Sequence, residues 1–186
     1  MTRIPLLMER DQMPPDAWEA HDAILASLGR MNTPLAVLMH APEVAVRTVE
    51  LGKYLTRDSI IPAAIRELAI LTMAREFDCT YVWAAHAPTA VSAGIPARVV
   101  DAIARCADTH DLLPEHAAVI QFGRELVGKH RVSRATFDAV RALYGDRGLV
   151  ELQALIGFYL LAACTLITAE VEAPPDRPVL PARPDA

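Results

Sequence analysis

The segment from Pro62 to Gly94 constrains the fold most, because it contains two consecutive helical patterns separated by a corner at Phe77 and Asp78. The first pattern begins at Pro62, a residue type that is common in the first turn of a helix. Its apolar residues recur with the 3.6-residue period of a half-buried helix. The second pattern starts at Asp78, which we expect to be the N-cap. Two helices joined by so short a corner predict an antiparallel hairpin.

The hairpin is expected to place an acid beside an imidazole. Glu67 lies about 15 Å from the corner along the first helix, and His86 lies about 10 to 12 Å along the second. The two side chains are therefore at nearly the same height. Cys79 shares one helix face with Val82 and His86. Its place at the amino end of the helix, near the positive end of the dipole, is expected to favour the thiolate.

Six residues of the hairpin are candidates for a functional site. Glu67, Cys79 and His86 are the predicted catalytic residues, since an acid, an imidazole and a thiol could converge there. Tyr81, Val82 and Trp83, on the same helix as His86, are predicted to contribute to substrate binding. His110, His116 and His130 have no spacing typical of a metal site, and the sequence contains no H-x-x-x-H or H-E-x-x-H pattern. We therefore predict no bound metal and no cofactor.

Composition favours an all-α protein. Hydrophobic residues make up 53% of the 186 residues, but aromatic residues only 5%, so the core is expected to be aliphatic and helical rather than a β-sheet. The length suits one domain, which we place at residues 1–171. The Pro-rich residues 172–186 are expected to form an extended or disordered tail, which could lie on a neighbouring subunit.

Proline, glycine and capping residues predict the other helices. Gly29 is expected to end the first helix, and Ser133 to cap another. The predicted helices outside the hairpin cover approximately residues 15–28, 33–41, 42–56, 96–106, 114–129 and 133–144, followed by a long helix that begins near residue 148.

Charge and cysteine usage indicate the cellular context. The net charge is −5 and no cluster of Lys and Arg is visible, which argues against nucleic-acid binding. Three cysteines do not form a disulfide framework, and the amino-terminal residues lack the pattern of a signal peptide. We therefore predict a cytoplasmic protein.

The last long helix contains no charged residue between Ala154 and Thr168. These fifteen residues are fewer than the about 20 needed to cross a bilayer, so no membrane span is predicted. A helix that is apolar on nearly all sides suggests that a second subunit covers part of it. We therefore expect a homo-oligomer.

The central motif resembles that of the carboxymuconolactone decarboxylase and alkylhydroperoxidase D superfamily. The resemblance rests on Glu67, Cys79 and His86 within RELAILTMAREFDCTYVWAAHAPTAVSAGI, and it extends to PLAVLMHAPEVA, GRELVGKHRVS and GLVELQALIGFYLLAACTL. It covers most of residues 1–170. It implies an alkylhydroperoxidase D-like helical bundle, assembly into dimers, trimers or hexamers, and a place for His40 in the lining of the pocket.

Val82 is the main departure from the motif of this superfamily. The peroxidase members have a C-x-x-C pair followed by His, and Val82 stands at the second cysteine. The two-thiol cycle therefore cannot close within this helix. Members of the decarboxylase type commonly have Glu immediately before Trp, and Val82 also replaces that carboxylate. The sequence therefore lacks the residue that would distinguish the peroxidase type from the decarboxylase type.

Three functions remain compatible with the sequence. The first is a cofactor-independent acid–base enzyme, of the lyase type, that decarboxylates or isomerises a small organic acid or lactone with His86 as the proton carrier and Glu67 as its partner. The second is a single-cysteine thiol peroxidase or redox protein that uses Cys79. The third is a non-catalytic scaffold that binds a ligand or only assembles.

Overall fold

The helical hairpin lies at the centre of the fold. In the computed structural model, which describes residues 2–183, the chain forms eight α-helices and no β-strand. They are α1 (Trp18–Leu28), α2 (Thr33–Leu38), α3 (Pro42–Lys53), α4 (Ala63–Glu76), α5 (Thr80–Ser92), α6 (Ala97–Ala104), α7 (Pro114–Gly123) and α8 (Arg134–Thr168). A π-helical turn extends α3 over Tyr54–Asp58, and another extends α7 over Arg124–Gly128. The predicted all-α class is confirmed.

Helix α4 forms the core because it is enclosed by other helices. It packs against α5, α6, α7 and α8. From Leu68 to Arg75 every residue is buried, so this part of α4 has no solvent-facing side. Gly123 allows α7 to come close, since a Cβ atom there would lie 2.7 Å from the Thr72 methyl carbon. This close packing fixes the position of α4, the helix that carries Glu67.

The corner between α4 and α5 differs from the sequence prediction in its cap. Cys79 is the N-cap of α5, so the prediction of Asp78 as N-cap was wrong. Asp78 instead has a left-handed backbone conformation with φ of 52°. Its carboxylate accepts hydrogen bonds from Arg75 and Arg183. These two guanidinium groups hold Asp78 in the corner, and the helix therefore begins one residue later.

Helix α8 is long, and one of its faces is exposed. Gly145 has φ of 67° and ψ of −176°, so the helix is interrupted near the predicted break. Beyond it, one face packs into the core through Leu152, Leu155 and Ile156, whereas the other face exposes Val150 and Leu161. By length and composition alone, α8 is the one helix of the described chain that could span a membrane. Its packing against α4 and α7 is that of the core helix of a soluble helical domain.

The carboxyl-terminal segment returns across the domain instead of leaving it. After α8 the chain has no helix up to residue 183, and Leu180 is buried among residues of the main core. Arg183 donates hydrogen bonds to the carbonyl groups of Arg75 and Glu76, at 2.8 and 2.9 Å. The tail thus contacts its own α4–α5 corner. Residues 184–186 of the predicted tail lie outside the described residues.

Candidate active site

The hairpin brings Glu67 and His86 into direct contact. Glu67 lies on α4 and His86 lies in the second turn of α5. The distance between His86 Nδ1 and Glu67 Oε2 is 2.8 Å. The side chains are 20% exposed for His86 and 15% for Glu67. Because a carboxylate only accepts hydrogen bonds, Nδ1 carries the proton and donates it, and in the neutral ring the lone pair is therefore on Nε2.

His86 lies on the wall of a cavity of about 720 Å³. The cavity is bounded by α2, α3, α5, α8 and the carboxyl-terminal segment. Glu67 is not among the lining residues, so it contacts the imidazole from behind. The arrangement holds one basic nitrogen at the edge of a space large enough for a small molecule.

Tyr81 and Val82, two of the predicted substrate-binding residues, line this cavity. The Tyr81 hydroxyl donates a hydrogen bond to Thr33 Oγ1 at 2.8 Å, which ties α5 to the start of α2. Val82 is 3% exposed and adds an apolar patch to the wall. Their roles in substrate binding stay predictions.

Trp83 and His40 do not reach the cavity. Trp83 is 3% exposed and packs in the main core. It points away from the cavity because its neighbours Tyr81 and Val82 occupy the face of α5 that lines it. His40 is exposed, and its Nε2 is 2.8 Å from the carbonyl oxygen of Pro5. The structure thus places neither Trp83 nor His40 in the lining of this cavity, and their predicted roles in substrate binding stay predictions.

Cys79 lies in a different environment from the one predicted. It is 2% exposed and is not a lining residue of the cavity. Burial raises the pKa of the Cys79 thiol, and the backbone N–H groups of Val82 and Tyr81 offset this only in part. The prediction of a favoured thiolate was wrong, because desolvation outweighs the effect of the helix terminus. The structure brings Glu67 and His86 together, but it does not place the sulfur on the same wall.

Tyr159 is a site residue that the sequence analysis missed. It lines the cavity, and its ring packs edge-on against the His86 ring with 4.9 Å between centroids. Within the described residues its hydroxyl has no hydrogen-bond partner. One signal was available, since Tyr159 carries a hydroxyl in the middle of the uncharged stretch of α8. Its distance of 73 positions from His86 gave no reason to place the two together.

The charged residues of the cavity wall all have the same sign. Arg30, Lys53, Arg57 and Arg177 line it, and no Asp or Glu between residues 2 and 183 does so. None of the four forms an ion pair with any residue that the structure describes. All four are exposed. They come from three segments of the chain: Arg30 follows α1, Lys53 and Arg57 lie at the end of α3 and just after it, and Arg177 follows α8. This concentration of positive charge is unexpected in a chain of net charge −5.

No metal site is evident in the part of the chain that the structure covers. Within residues 2–183 no group of three or more His, Cys, Asp or Glu side chains could hold a metal ion. The three cysteines are unpaired: Cys79 is buried, Cys106 is partly buried and Cys164 is exposed.

The chain has the fold of the alkylhydroperoxidase D-like proteins, as the resemblance of its central motif predicted. Solved structures similar to it include the alkylhydroperoxidase AhpD core of an uncharacterized peroxidase-related protein from Ralstonia eutropha. That structure has a TM-score of 0.72 and 19% identity, and the match covers 94% of this chain and 93% of that one. The debrominase Bmp8 in complex with 2,3,4-tribromopyrrole also has a TM-score of 0.72, with 13% identity over 94% of this chain and 95% of that one.

An uncharacterized peroxidase-related protein from Silicibacter sp. is a third such structure. Its TM-score is 0.68 and its identity 12%, over 95% of this chain and 96% of that one. No protein-family model matches the chain, and no curated protein matches its sequence. At these identities the likeness defines the fold, and the function has to be argued from the residues themselves.

Proposed function

We propose that this protein is a cofactor-independent acid–base enzyme that moves a proton on a small organic acid or lactone, in a reaction of the decarboxylation or isomerisation type. The observation that carries the proposal is the 2.8 Å contact between His86 and Glu67 at the wall of a cavity. A carboxylate that binds one imidazole nitrogen of a histidine on a cavity wall is a common arrangement for general acid–base catalysis.

In this mechanism His86 Nε2 takes a proton from a carbon atom of the substrate or delivers one to it. Glu67 fixes the orientation of the ring and stabilises the imidazolium that forms after the proton has been taken. A positioned general base of this kind contributes typically about 10² to 10⁴-fold to the rate. The apolar part of the wall, including Val82, would contact the apolar part of the substrate.

The charge of the cavity wall supports an anionic substrate. Arg30, Lys53, Arg57 and Arg177 face the cavity without a compensating carboxylate. A cleft lined by one sign of charge attracts ligands of the opposite sign, and guanidinium groups suit the geometry of a carboxylate. A small carboxylic acid would satisfy these groups, whereas a cationic substrate would be repelled.

Solvent-deuterium exchange tests the proton-transfer step by itself. A panel of small keto acids and lactones is incubated with the protein in D₂O, and deuterium uptake at carbon is followed by NMR. We expect uptake with at least one compound, and a fall of about 10² to 10⁴-fold in the His86→Ala variant with unchanged circular dichroism. Equal uptake by the wild type and the variant would remove His86 from the mechanism. Failure of every compound to exchange would favour the scaffold hypothesis.

Thiol chemistry at Cys79 is the second candidate function. Two observations favour it: Cys79 caps α5, with the backbone N–H groups of Tyr81 and Val82 near its sulfur, and some proteins of this fold are described as peroxidase-related. Its burial and raised pKa disfavour it. A sulfenate trapped by dimedone after peroxide treatment would support this candidate. Resistance of Cys79 to iodoacetamide at pH 7, together with no sulfenate, would exclude it.

We further propose that a second copy of the chain covers the exposed face of α8, and that the protein is cytoplasmic. Val150, Leu161 and Ile167 are 53%, 40% and 49% exposed on this helix. Leu161 also lines the cavity, so a partner that packs here would lie close to the site. Light scattering should give a mass larger than 20.3 kDa, and Leu161→Glu should lower it. A monomeric wild type would contradict this assembly.

A further inference from the structure

Tyr159 has a hydroxyl group without a hydrogen-bond partner among residues 2–183. The residue is partly buried on α8, and its ring stands almost perpendicular to that of His86, with an interplanar angle of 87°. Its pKa is raised above the ordinary value by burial, and also by the negative charge of Glu67. The phenol therefore stays protonated at neutral pH. It is available as a hydrogen-bond donor on a residue whose ring contacts that of the proposed base.

The other tyrosine of the cavity wall behaves differently. The Tyr81 hydroxyl already donates to Thr33 Oγ1. Outside the cavity, Tyr54 donates to Glu151 and Tyr144 donates to Glu115, each in a contact of 2.7 or 2.8 Å. Every tyrosine of the chain other than Tyr159 thus donates its hydroxyl proton to a protein oxygen. Buried tyrosine hydroxyls usually find such a partner, so an unused one beside a cavity indicates a donor kept for a ligand.

The packing of α8 against α3 holds Tyr159 in place. Gly52 of α3 faces the neighbouring Phe158, and a Cβ atom at Gly52 would lie 2.6 Å from Phe158 Cζ. The Phe158 ring therefore occupies a space that only glycine leaves free. The Phe158 and Tyr159 rings also meet edge-on, with centroids 5.3 Å apart. Contacts with Phe158 and His86 limit the directions in which the phenol can point.

We propose that Tyr159 is a further catalytic residue, which donates a hydrogen bond to the oxygen of the substrate on which negative charge develops. This inference rests on the proposed function. When His86 Nε2 takes the proton from the carbon next to a carbonyl group, the C–H electron pair forms a carbon–carbon double bond and the carbonyl π pair moves to oxygen. Tyr159 stabilises that enolate oxygen without giving up its own proton. Return of the proton from His86 to carbon regenerates the base.

The proposal also narrows the substrate class. An enolate oxygen beside Tyr159 requires a ketone, keto acid or lactone that has a C–H bond next to its carbonyl group. The cationic residues Arg57 and Lys53, which line the same cavity, would bind a carboxylate elsewhere on the molecule. A preorganised donor aimed at a developing oxyanion typically contributes about 10² to 10³-fold to kcat.

The first test removes only the hydroxyl. In Tyr159→Phe the edge-on ring contact with His86 is kept, so the fold should be unchanged by circular dichroism. Deuterium uptake by the compound that the wild type exchanges should fall by about 10² to 10³-fold, with KM changed much less than kcat. The matched control is Tyr144→Phe, which loses a phenol that bonds to Glu115 and does not line the cavity. The control should exchange at the rate of the wild type.

The second test does not depend on proton transfer to carbon. The probe is para-nitrophenol, whose phenolate resembles an enolate and absorbs at a longer wavelength than the neutral phenol. The wild type should bind the phenolate form, and Tyr159→Phe should bind it about tenfold more weakly or in the neutral form. Tyr144→Phe should again match the wild type.

The outcomes separate this inference from the proposed function. Loss of exchange in His86→Ala, with wild-type exchange and phenolate binding in Tyr159→Phe, would overturn the role of Tyr159 and leave the acid–base proposal standing. If no compound exchanges, the acid–base proposal fails and the phenolate assay alone decides about Tyr159. Absence of phenolate binding by the wild type in that case would overturn the role of Tyr159 as well.

Discussion

Two poorly exposed carboxylates of this protein, Glu67 and Glu151, have opposite surroundings. Glu151 on α8 is 6% exposed and is saturated with donors. It accepts hydrogen bonds from the side chains of Tyr54, Ser59 and Arg147 and from the backbone N–H of Ile60. Glu67 has one hydrogen-bond partner among the described residues, the imidazole of His86, which lines a cavity. A carboxylate whose oxygens all accept hydrogen bonds from the protein joins segments of the chain. A carboxylate that contacts the imidazole of a cavity wall can take part in catalysis.

The electrostatics of Glu151 reflect its structural role. Its burial opposes ionisation, but the hydrogen bonds from Tyr54, Ser59, Arg147 and Ile60 outweigh this effect and lower its pKa to about 2. The Glu151 carboxylate is thus charged at neutral pH. It joins α8 to the π-helical turn after α3, and it holds in place the loop that leads into α4. The comparison predicts that changes at Glu151 affect stability and that changes at Glu67 affect activity.

Of the changes at these two carboxylates, the largest effect is expected from Glu67→Gln, measured as deuterium exchange. The amide oxygen can still accept the Nδ1–H of His86, but the charge that stabilises the imidazolium is lost. Removal of such a partner of a histidine at metal sites costs about 10- to 100-fold, and we expect a loss of this order here. The midpoint of urea unfolding should change little. Wild-type exchange in this variant would show that Glu67 does not assist His86.

Glu151→Gln should lower the stability of the protein and leave its activity nearly unchanged. The amide cannot accept all the hydrogen bonds that reach the two carboxylate oxygens, and the ion pair with Arg147 is lost. We expect a loss of about 1 to 3 kcal/mol in the free energy of unfolding, measured by urea titration, with little change in exchange rate. A variant as stable as the wild type, or one that has lost its activity while stable, would contradict the assignment of Glu151 to structure.

The smallest expected effect is the change with pH in the stability difference between the wild type and Glu151→Gln. The pKa of Glu151 is lowered in the folded protein from 4.5 to about 2, so its stabilising contribution is complete above pH 4.5 and is lost as the pH falls toward 2. The difference in unfolding free energy between the wild type and Glu151→Gln should therefore shrink over this range. It can be followed by thermal unfolding at pH 3 and pH 7. A difference that stays constant would show that the carboxylate is not preferentially stabilised in its charged form.

Local spacing accounts for the part of the site that could be predicted. Glu67 and His86 are nineteen positions apart and belong to consecutive helices. Once the corner is placed near Asp78, helical geometry alone puts them side by side. The choice of cap, Asp78 or Cys79, shifts this register by one residue and leaves the pair in contact. The hairpin was therefore predictable from the sequence, although its exact N-cap was not.

The environment of Cys79 was not predictable in the same way. The sequence shows that Cys79 stands at a helix terminus, which favours the thiolate, but it does not show how closely other elements pack over that terminus. Burial to 2% exposure reverses the expected direction of the pKa. The positions of Trp83 and His40 outside the cavity lining were unpredictable for the same reason, since the side of a helix that faces a cavity depends on its neighbours.

The sequence by itself determined the helical class, the hairpin and the meeting of Glu67 with His86, because those features depend on residues close together along the chain. Only the tertiary structure decided that Tyr159 of α8 and Arg57 after α3 line the same cavity as His86. These contacts join residues separated by many positions, and their geometry depends on how whole helices pack, as at Gly52 against Phe158. Periodicity in the sequence indicates which residues of a helix are apolar. The packing of neighbouring helices determines which of its polar groups share a cavity.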